Sequence, residues 1–221
     1  NGGKKFQSNN LNIASKFYHK GLKGSWNPAD FMKDREILIL GSGPGVAEYK
    51  IALEDFIKKR KPLVLALNIQ KEIEPSLVNF YIACHPVRLL ADIESHSKIS
   101  KPLITPVSVL SKSLKKKLGK KKLLDFGIKI EPGKFQFYDK HCIIPNSLVI
   151  SYALATCISG KMSKIFMAGF DGYQKGDSRN DEVDEMLGNL YKSGVSNIRE
   201  SIIAITPTNF NSMKSKSLYG F

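Results

Sequence analysis

An apolar run that ends in a glycine-rich turn constrains the fold of this 221-residue chain more than any other stretch. The pattern predicts a strand over 36–40, a tight turn over Gly41–Gly45 and a helix over 46–60. In α/β proteins this arrangement directs backbone N–H groups and a helix N-terminus at a phosphate. The stretch therefore predicts an α/β fold, with either a nucleotide site or a turn that merely uses glycine.

Two common phosphate-binding motifs do not account for this turn. Its Gly-x-Gly-x-Gly spacing is not the full dinucleotide fingerprint, and the next predicted strand ends in Asn68 where an acidic residue would contact a ribose. A Walker loop is excluded because no Gly-Lys-Ser/Thr follows.

Composition places the chain among globular proteins of a reducing compartment. The longest apolar stretch, 148–158, is interrupted by polar residues and is too short to cross a bilayer. No signal peptide is visible. The three cysteines, Cys84, Cys142 and Cys157, are odd in number and scattered, which argues against a disulfide scaffold or a zinc site. A cytoplasmic location is expected.

The charge is strongly basic, at +14, and seven lysines fall within Lys112–Lys122 without an acidic residue. Nucleic-acid binding, an anionic membrane surface and a simple solvated face are the alternatives. The lysines are not interleaved with aromatic residues and arginine is scarce, which argues against nucleic acid. We therefore interpret the lysine cluster as a solvated face, with peripheral binding at the inner membrane as the alternative.

The chain is predicted to hold one domain after a leading segment. Residues 1–34 are polar and are interpreted as a linker or arm, anchored by Phe17, Tyr18 and Trp26. Residues 35–221 then form a single α/β domain. Further strands are predicted over 63–67, 80–84, 103–105, 164–168 and 201–205. Continuous apolar runs indicate strands covered on both faces, so the fold class is a Rossmann-like, mostly parallel sheet with helices on both faces.

The middle of the chain gives weaker patterns. Strands over 123–130 and 135–138 suggest a hairpin around Glu131–Lys134, after a lysine-rich helix over 107–118. Asn146 or Ser147 is expected to cap a buried helix that ends near Ser159. An acidic helix is predicted over 181–191. His96, like His19, is expected at the surface.

Polar groups follow the first three predicted strands at the point where each ends. These are Gly41-Ser42, Asn68 and His85. Ligands of open α/β sheets bind outside the carboxyl ends of the strands. Each group alone is as readily a local backbone partner as a ligand contact. Together they favour a ligand site at this edge.

The order of these motifs resembles the bacterial sialyltransferases of glycosyltransferase family 42 and their relatives in surface-glycan biosynthesis. The likeness spans roughly 36–210 and includes a buried helix that starts at Ser147 and a strand that ends in Gly-Phe-Asp-Gly-Tyr at 169–173. It implies a CMP-sugar donor. The residues carried over to the nucleotide site are Gly41, Ser42, Gly43, Pro44, Gly45, Asn68, His85, Asn146, Ser147, Asp171, Gly172 and Tyr173.

The chain departs from the family pattern at several positions. Ser42 and His85 stand where the family has asparagines. In the family a histidine of a mobile segment acts as general base, and the corresponding residues here, 174–185, include no histidine. A second phosphate-binding tyrosine is also missing, and Arg179 lies near its place. The predicted catalytic residues are therefore His85, Asp171, Tyr173 and Arg179, with His141 as another candidate base.

No metal site is predicted. The acidic cluster over 181–185 lies near a helix N-terminus, where its charges complement the helix dipole. No Asp-x-Asp metal clamp occurs. No cofactor is expected apart from the nucleotide-sugar donor, which is a substrate.

The resulting hypothesis is a metal-independent, glycosyltransferase-like domain that binds a CMP-activated acidic sugar in lipopolysaccharide or capsule biosynthesis. Its partners would be a nucleotide sugar and a glycan or lipid-linked acceptor, and the chain could form a homo-oligomer. The alternative is a non-catalytic nucleotide-sugar-binding or scaffolding domain fused to an aldolase-type enzyme. The chain starts with Asn1, which fits a piece of such a longer protein.

Overall fold

A computed structural model of the chain describes residues 23–174 and 176–221. The anchors Phe17 and Tyr18 and also His19 of the predicted arm lie outside the described residues. Trp26, the third predicted anchor, is partly buried and its ring lies 6.5 Å from that of Phe80. The backbone N–H of Trp26 also donates a hydrogen bond to the Asp125 carbonyl at 3.0 Å. Residues 23–34 therefore lie against the sheet.

Ten strands and nine helices make up the described part of the chain. The strands are β1 Glu36–Leu40, β2 Leu63–Leu67, β3 Phe80–Ile82, β4 Leu103–Thr105, β5 Leu123–Asp125, β6 Gly127–Ile130, β7 Gln136–Phe137, β8 His141–Ile144, β9 Lys164–Ala168 and β10 Ile202–Ala204. The helices are α1 Ala29–Met32, α2 Gly45–Glu48, α3 Lys50–Arg60, α4 Pro86–Ala91, α5 Ile93–Lys98, α6 Lys112–Leu118, α7 Val149–Ser159, α8 Ser178–Tyr191 and α9 Ile198–Ser201. Short 3-10 turns lie at Pro75–Leu77, Val107–Val109 and Leu218–Gly220.

Seven strands form one parallel sheet in the order β10-β9-β1-β2-β3-β4-β5. Alternate residues of each strand enter two different apolar clusters. One cluster contains Ile37 and Ile39 with α7 and α8, and the other contains Leu38 and Leu40 with α3, α4 and α6. Apolar side chains thus cover both faces, which is why these strands read as continuous apolar runs. The predicted α/β class with helices on both faces is confirmed.

The predicted hairpin around Glu131–Lys134 is wrong. β6 and β7 flank β8 in a separate three-stranded sheet, in which β6 is parallel and β7 antiparallel to β8. β8 therefore separates the two strands that the hairpin would join. Its apolar residues Cys142 and Ile144 are buried in the same cluster as α7. Burial of this strand overrides the local turn signal.

Four helix predictions also need correction in detail. The helix predicted over 46–60 is broken at Tyr49, between α2 and α3. The lysine-rich helix is shorter, at Lys112–Leu118, and it buries Leu114 and Leu118. α7 is buried as predicted, but it begins after Leu148 without a side-chain cap. The acidic helix starts earlier, at Ser178, after an Asp177 cap.

His96 is not a surface residue. Its side chain is fully buried on α5, and neither ring nitrogen has a hydrogen-bond partner among the described residues. Burial, as the first cause, and the nearby Lys121 ammonium lower the pKa of His96 to about 4. The Lys121 ammonium itself donates a hydrogen bond to the Ile99 carbonyl at 2.6 Å. One of the seven lysines of Lys112–Lys122 therefore packs against the protein and is not fully solvated.

Candidate functional site

The order in which strands are added to the parallel sheet reverses at β1. From β1 the chain adds β2, β3, β4 and β5 on one side, and it later returns to place β9 on the other side. In open parallel sheets such a switch point leaves a crevice outside the carboxyl ends of the two central strands. The loops at this crevice are Gly41–Gly45 after β1 and Gly169–Tyr173 after β9. The structure thus brings together the two motifs that the sequence singled out.

The glycine turn binds a carboxylate of this same chain. Gly45 N–H donates a hydrogen bond to Asp171 Oδ1 at 2.9 Å. Gly41 N–H donates to the Ala168 carbonyl at 2.8 Å, and Gly43 N–H donates to the Gly169 carbonyl at 3.0 Å. Three amides of the turn therefore already have protein acceptors. At Gly45 the Asp171 carboxylate takes the place that the sequence prediction assigned to a phosphate.

Close approach of Asp171 explains two of the glycines. A Cβ at Gly45 would lie 2.5 Å from Asp171 Oδ1, and a Cβ at Gly43 would lie 2.0 Å from Asp171 Oδ2. Oδ2 is buried, and it has no hydrogen-bond partner in residues 23–174 and 176–221. An unpartnered carboxylate oxygen can accept a hydrogen bond, and then a proton, from a hydroxyl group that comes within hydrogen-bonding distance.

Two asparagines hold the loop that follows Asp171. Asn180, which is 8% exposed, accepts a hydrogen bond from Tyr173 N–H at 2.8 Å and donates to the Tyr173 carbonyl at 3.1 Å and the Gln174 carbonyl at 3.2 Å. Asn209 donates a side-chain bond to the Tyr173 carbonyl at 3.3 Å, and its backbone N–H donates to the Asp171 carbonyl at 2.9 Å. The position of Asp171 is therefore fixed from both sides.

Asn180→Ala should lower the free energy of unfolding by about 2 kcal/mol, because it leaves backbone groups of the Tyr173 loop without their partners. Urea denaturation followed by circular dichroism measures this change. Asn189→Ala on the same helix is the matched control and should change stability far less. Equal effects of the two substitutions would show that Asn180 does not hold this loop.

Tyr173 and Arg179 lie together at the outer end of the site. The Arg179 guanidinium carbon is 3.7 Å from the centre of the Tyr173 ring. Arg179 also forms a bidentate pair with Asp177, through contacts of 2.9 and 2.6 Å. This hydrogen bonding lowers the pKa of the Asp177 carboxyl to about 2. Arg179 therefore has its own counter-ion and would have to leave Asp177 to bind a phosphate.

A second group of predicted residues lies beyond the glycine turn, at the ends of β2 and β3. Asn68 adopts a left-handed backbone with φ of +52°, and its N–H donates to the Ile82 carbonyl at 2.9 Å. His85 is partly buried, and this burial lowers its pKa. The imidazole is therefore neutral at pH 7 and able to accept a proton.

The start of α7 approaches the same end of β3. Cys84 Sγ lies 3.5 Å from the Ser147 carbonyl and donates to it. Asn146 Oδ1 accepts hydrogen bonds from Ser151 Oγ at 2.6 Å and from Leu148 N–H at 3.3 Å. The predicted residues thus form two groups: Asn68, His85 and Ser147 beside β2 and β3, and Asp171, Tyr173 and Arg179 beside β9.

Gln70, which follows β2, binds the glycine turn and was missed by the sequence analysis. It is 6% exposed, and its Nε2 donates to the Gly41 carbonyl at 2.9 Å. Thr206 was missed as well, and its Oγ1 accepts from Gly169 N–H at 3.0 Å. Both are polar residues shortly after a strand end, the same signal that pointed to Asn68. They support the loops of the site.

Residues 23–174 and 176–221 contain neither a cluster of metal-ligating side chains nor a membrane-spanning helix. No group of three or more His, Cys, Asp or Glu side chains there could hold a metal ion. Within the same residues no helix is both long enough and apolar enough to span a membrane.

Comparison with known proteins shows the fold. No family model and no curated protein matches the chain. Among solved structures the chain is similar to the MAf glycosyltransferase from Magnetospirillum magneticum AMB-1, with a TM-score of 0.61 and 10% sequence identity. The similarity covers 96% of this chain and 38% of that protein. The chain thus has a fold found in a glycosyltransferase and spans well under half of that protein's length.

Proposed function

We propose that this chain is a glycosyltransferase-like domain that binds a nucleotide sugar at the carboxyl edge of its parallel sheet. One observation carries the proposal: at the β1/β9 switch point the Asp171 carboxylate is held by the glycine turn with one oxygen, Oδ2, left without a partner among the described residues. The fold shared with a glycosyltransferase supports the proposal. The specific donor proposed is a CMP-activated acidic sugar.

Each group of site residues has a role in this proposal. Asn68, His85, Asn146 and Ser147, beside β2 and β3, would hold the nucleotide. Asp171 Oδ2 would accept the proton of the acceptor hydroxyl while the hydroxyl oxygen bonds to the anomeric carbon of the donor sugar. The bond from this carbon to the phosphate oxygen then breaks, and CMP leaves with the electron pair. Tyr173 would donate a hydrogen bond from its hydroxyl to the departing phosphate, and Arg179 would stabilise this phosphate by its positive charge, without a metal ion.

The cellular setting is part of the proposal. The acceptor would be a glycan or a lipid-linked saccharide in lipopolysaccharide or capsule assembly. The exposed lysines of Lys112–Lys122 would draw the domain to the anionic inner surface of a membrane by charge. The enzyme would act in the cytoplasm.

A second candidate is a domain that binds the nucleotide sugar without transferring the sugar. The pairing of Arg179 with Asp177 favours it, because this cation is not free for a phosphate in the structure. Incubation of CMP-sialic acid with an acceptor separates the two candidates. Release of CMP that depends on the acceptor supports transfer, and binding without release supports the second candidate.

The nucleotide assignment is tested by calorimetric titration with CMP. Asn68→Gly should weaken CMP binding about tenfold, because it removes the side-chain contacts but keeps the left-handed backbone that alanine would strain. The matched control is Asn197→Gly, which replaces another asparagine with positive φ, at the start of α9. Absence of CMP binding by the unaltered chain would contradict the proposed function. Unchanged affinity in Asn68→Gly would remove Asn68 from the site.

A further inference from the structure

A groove runs between α3 and the C-terminal segment, next to the proposed site but outside its predicted residues. Its larger part, about 1180 Å³, is lined by α3 together with Leu218, Tyr219 and Phe221. Its smaller part, about 310 Å³, lies at the end of β10 against Thr206 and Pro207. Tyr49, Leu218 and Tyr219 line both parts. The two parts therefore adjoin at these residues, and the smaller part lies at the carboxyl edge of the sheet.

The C-terminal segment that forms one wall is fixed in place. Ala204 N–H donates to the Lys214 carbonyl at 2.8 Å, and Lys216 N–H donates to the Ala204 carbonyl at 2.9 Å, so this segment extends the sheet beside β10. The Phe221 ring packs 5.7 Å from Phe56 and 5.2 Å from Phe166. Both ends of the wall are thus anchored, and the groove is preformed.

Residues that adjoin each wall of the groove, Gly45 and Asn209, donate hydrogen bonds to Asp171. Tyr49 N–H donates to the Gly45 carbonyl at 3.0 Å, and Gly45 N–H binds Asp171 Oδ1 at 2.9 Å. On the other wall, Asn209 N–H, two residues after Pro207, donates to the Asp171 carbonyl at 2.9 Å. Electrostatics agree with this proximity: the Glu48 carboxylate first, and Asp171 among lesser causes, raise the pKa of Tyr49. Tyr49 therefore lies one helical turn from Gly45, the residue that binds the carboxylate proposed to accept a proton.

The lining of the smaller part of the groove fits a hydroxyl-rich ligand with apolar faces, whereas the larger part is also lined by charged residues of α3 such as Lys50, Asp55 and Lys59. The Tyr219 side chain is 77% exposed, and Tyr49 offers a second ring that keeps its phenolic proton at neutral pH. Thr206, Ser215 and Ser217 supply hydroxyl or backbone groups along the smaller part. Aromatic rings combined with a few convergent polar groups are the usual lining of a small-molecule site, and about 300 Å³ is the lower end of the usual volume.

We infer that this groove binds the acceptor, as a saccharide whose sugar rings lie against Tyr219 and Tyr49 and whose reacting hydroxyl points to Asp171. The inference rests on the proposed function for its link to transfer. It adds a binding surface for the acceptor, and none of the predicted site residues lines this surface.

Ligand-observed saturation-transfer NMR on the full chain tests the inference, with lactose, maltose and chitobiose as probes. At least one of the three should bind, and Tyr219→Ala should weaken that binding about tenfold. Tyr219→Phe, which keeps the ring, should retain most of it. Tyr138→Ala is the matched control, since Tyr138 is also exposed, at 43%, but lies beside the three-stranded sheet. Tyr49→Phe, which keeps the second ring and removes only its hydroxyl, should likewise retain most of the binding.

Calorimetry with CMP on the same variants separates this inference from the proposed function. Tyr219→Ala should leave CMP affinity unchanged. Failure of all three saccharides to bind, or equal binding by unaltered chain and Tyr219→Ala, would overturn the acceptor groove, even if CMP binds. Saccharide binding that depends on Tyr219 without any CMP binding would uphold the groove and reject the proposed function.

Discussion

Gly45→Ala is expected to displace the Asp171 carboxylate from the glycine turn and to lower any transfer rate by about 100-fold. The three atoms that a Cβ at Gly45 would meet all belong to the Asp171 carboxylate, the nearest at 2.5 Å. Accommodation of the methyl group therefore requires loss of the bond from Gly45 N–H to Oδ1. The free energy of unfolding should fall by about 1–3 kcal/mol, which urea denaturation measures.

A double-mutant cycle makes this prediction specific. In an Asp171→Ala background the same Gly45→Ala substitution meets no carboxylate and should cost little or stabilise α2 slightly. Gly188→Ala is the control for helix propensity, because a Cβ there meets nothing within 4 Å. It should raise the free energy of unfolding by about 0.5–1 kcal/mol. Additive losses from Gly45→Ala and Asp171→Ala would refute the assigned contact.

Acidification should destabilise the fold through His96. The folded protein holds this ring neutral, with a pKa lowered from 6.5 to about 4, whereas the unfolded chain takes up a proton below its ordinary pKa. Between these two values the unfolded state binds more protons, so stability falls as the pH falls. Between about pH 7 and about pH 5 the loss from this residue is about 2 kcal/mol.

Urea denaturation across this pH range measures the effect, and His96→Leu should remove most of it. The charged groups that act on the ring, Arg88, Asp92 and Lys121, remain in that variant. His141→Gln is the control, since His141 is partly exposed and burial lowers its pKa less. A pH slope that persists in His96→Leu would assign the destabilisation to other groups.

The elements that the sequence predicts well are those whose signal is local. β1, β2 and β9 have the predicted bounds, because a strand buried on both faces is an unbroken apolar run. The misplaced hairpin and the buried His96 have a different origin. β8 owes its place between β6 and β7 to burial against α7, and His96 lies within the polar stretch Glu94–Lys98. In both cases tertiary packing overrides a local pattern.

The candidate site was predictable as a location but not as a set of contacts. Strand ends placed Asn68, His85 and Asp171 at one edge, which follows from parallel topology. The bond between Gly45 and Asp171 joins residues 126 positions apart, and nothing local marks it. The support Asn180 was missed because an amide side chain within a polar stretch gives no pattern. Gln70 follows a strand end as Asn68 does, but its contact with the Gly41 carbonyl has no local signal.

The central position of β1 has a consequence for how the protein folds during synthesis. β1 pairs with β2 after the crossover of residues 41–62, which contains α2 and α3, but its other side pairs only with β9, which starts at Lys164. A growing chain therefore presents an open, apolar strand edge until more than a hundred further residues have left the ribosome. Such late, long-range closure slows folding and leaves the nascent chain prone to association. The proposed site, completed at the same moment, can bind nothing before the last strands arrive.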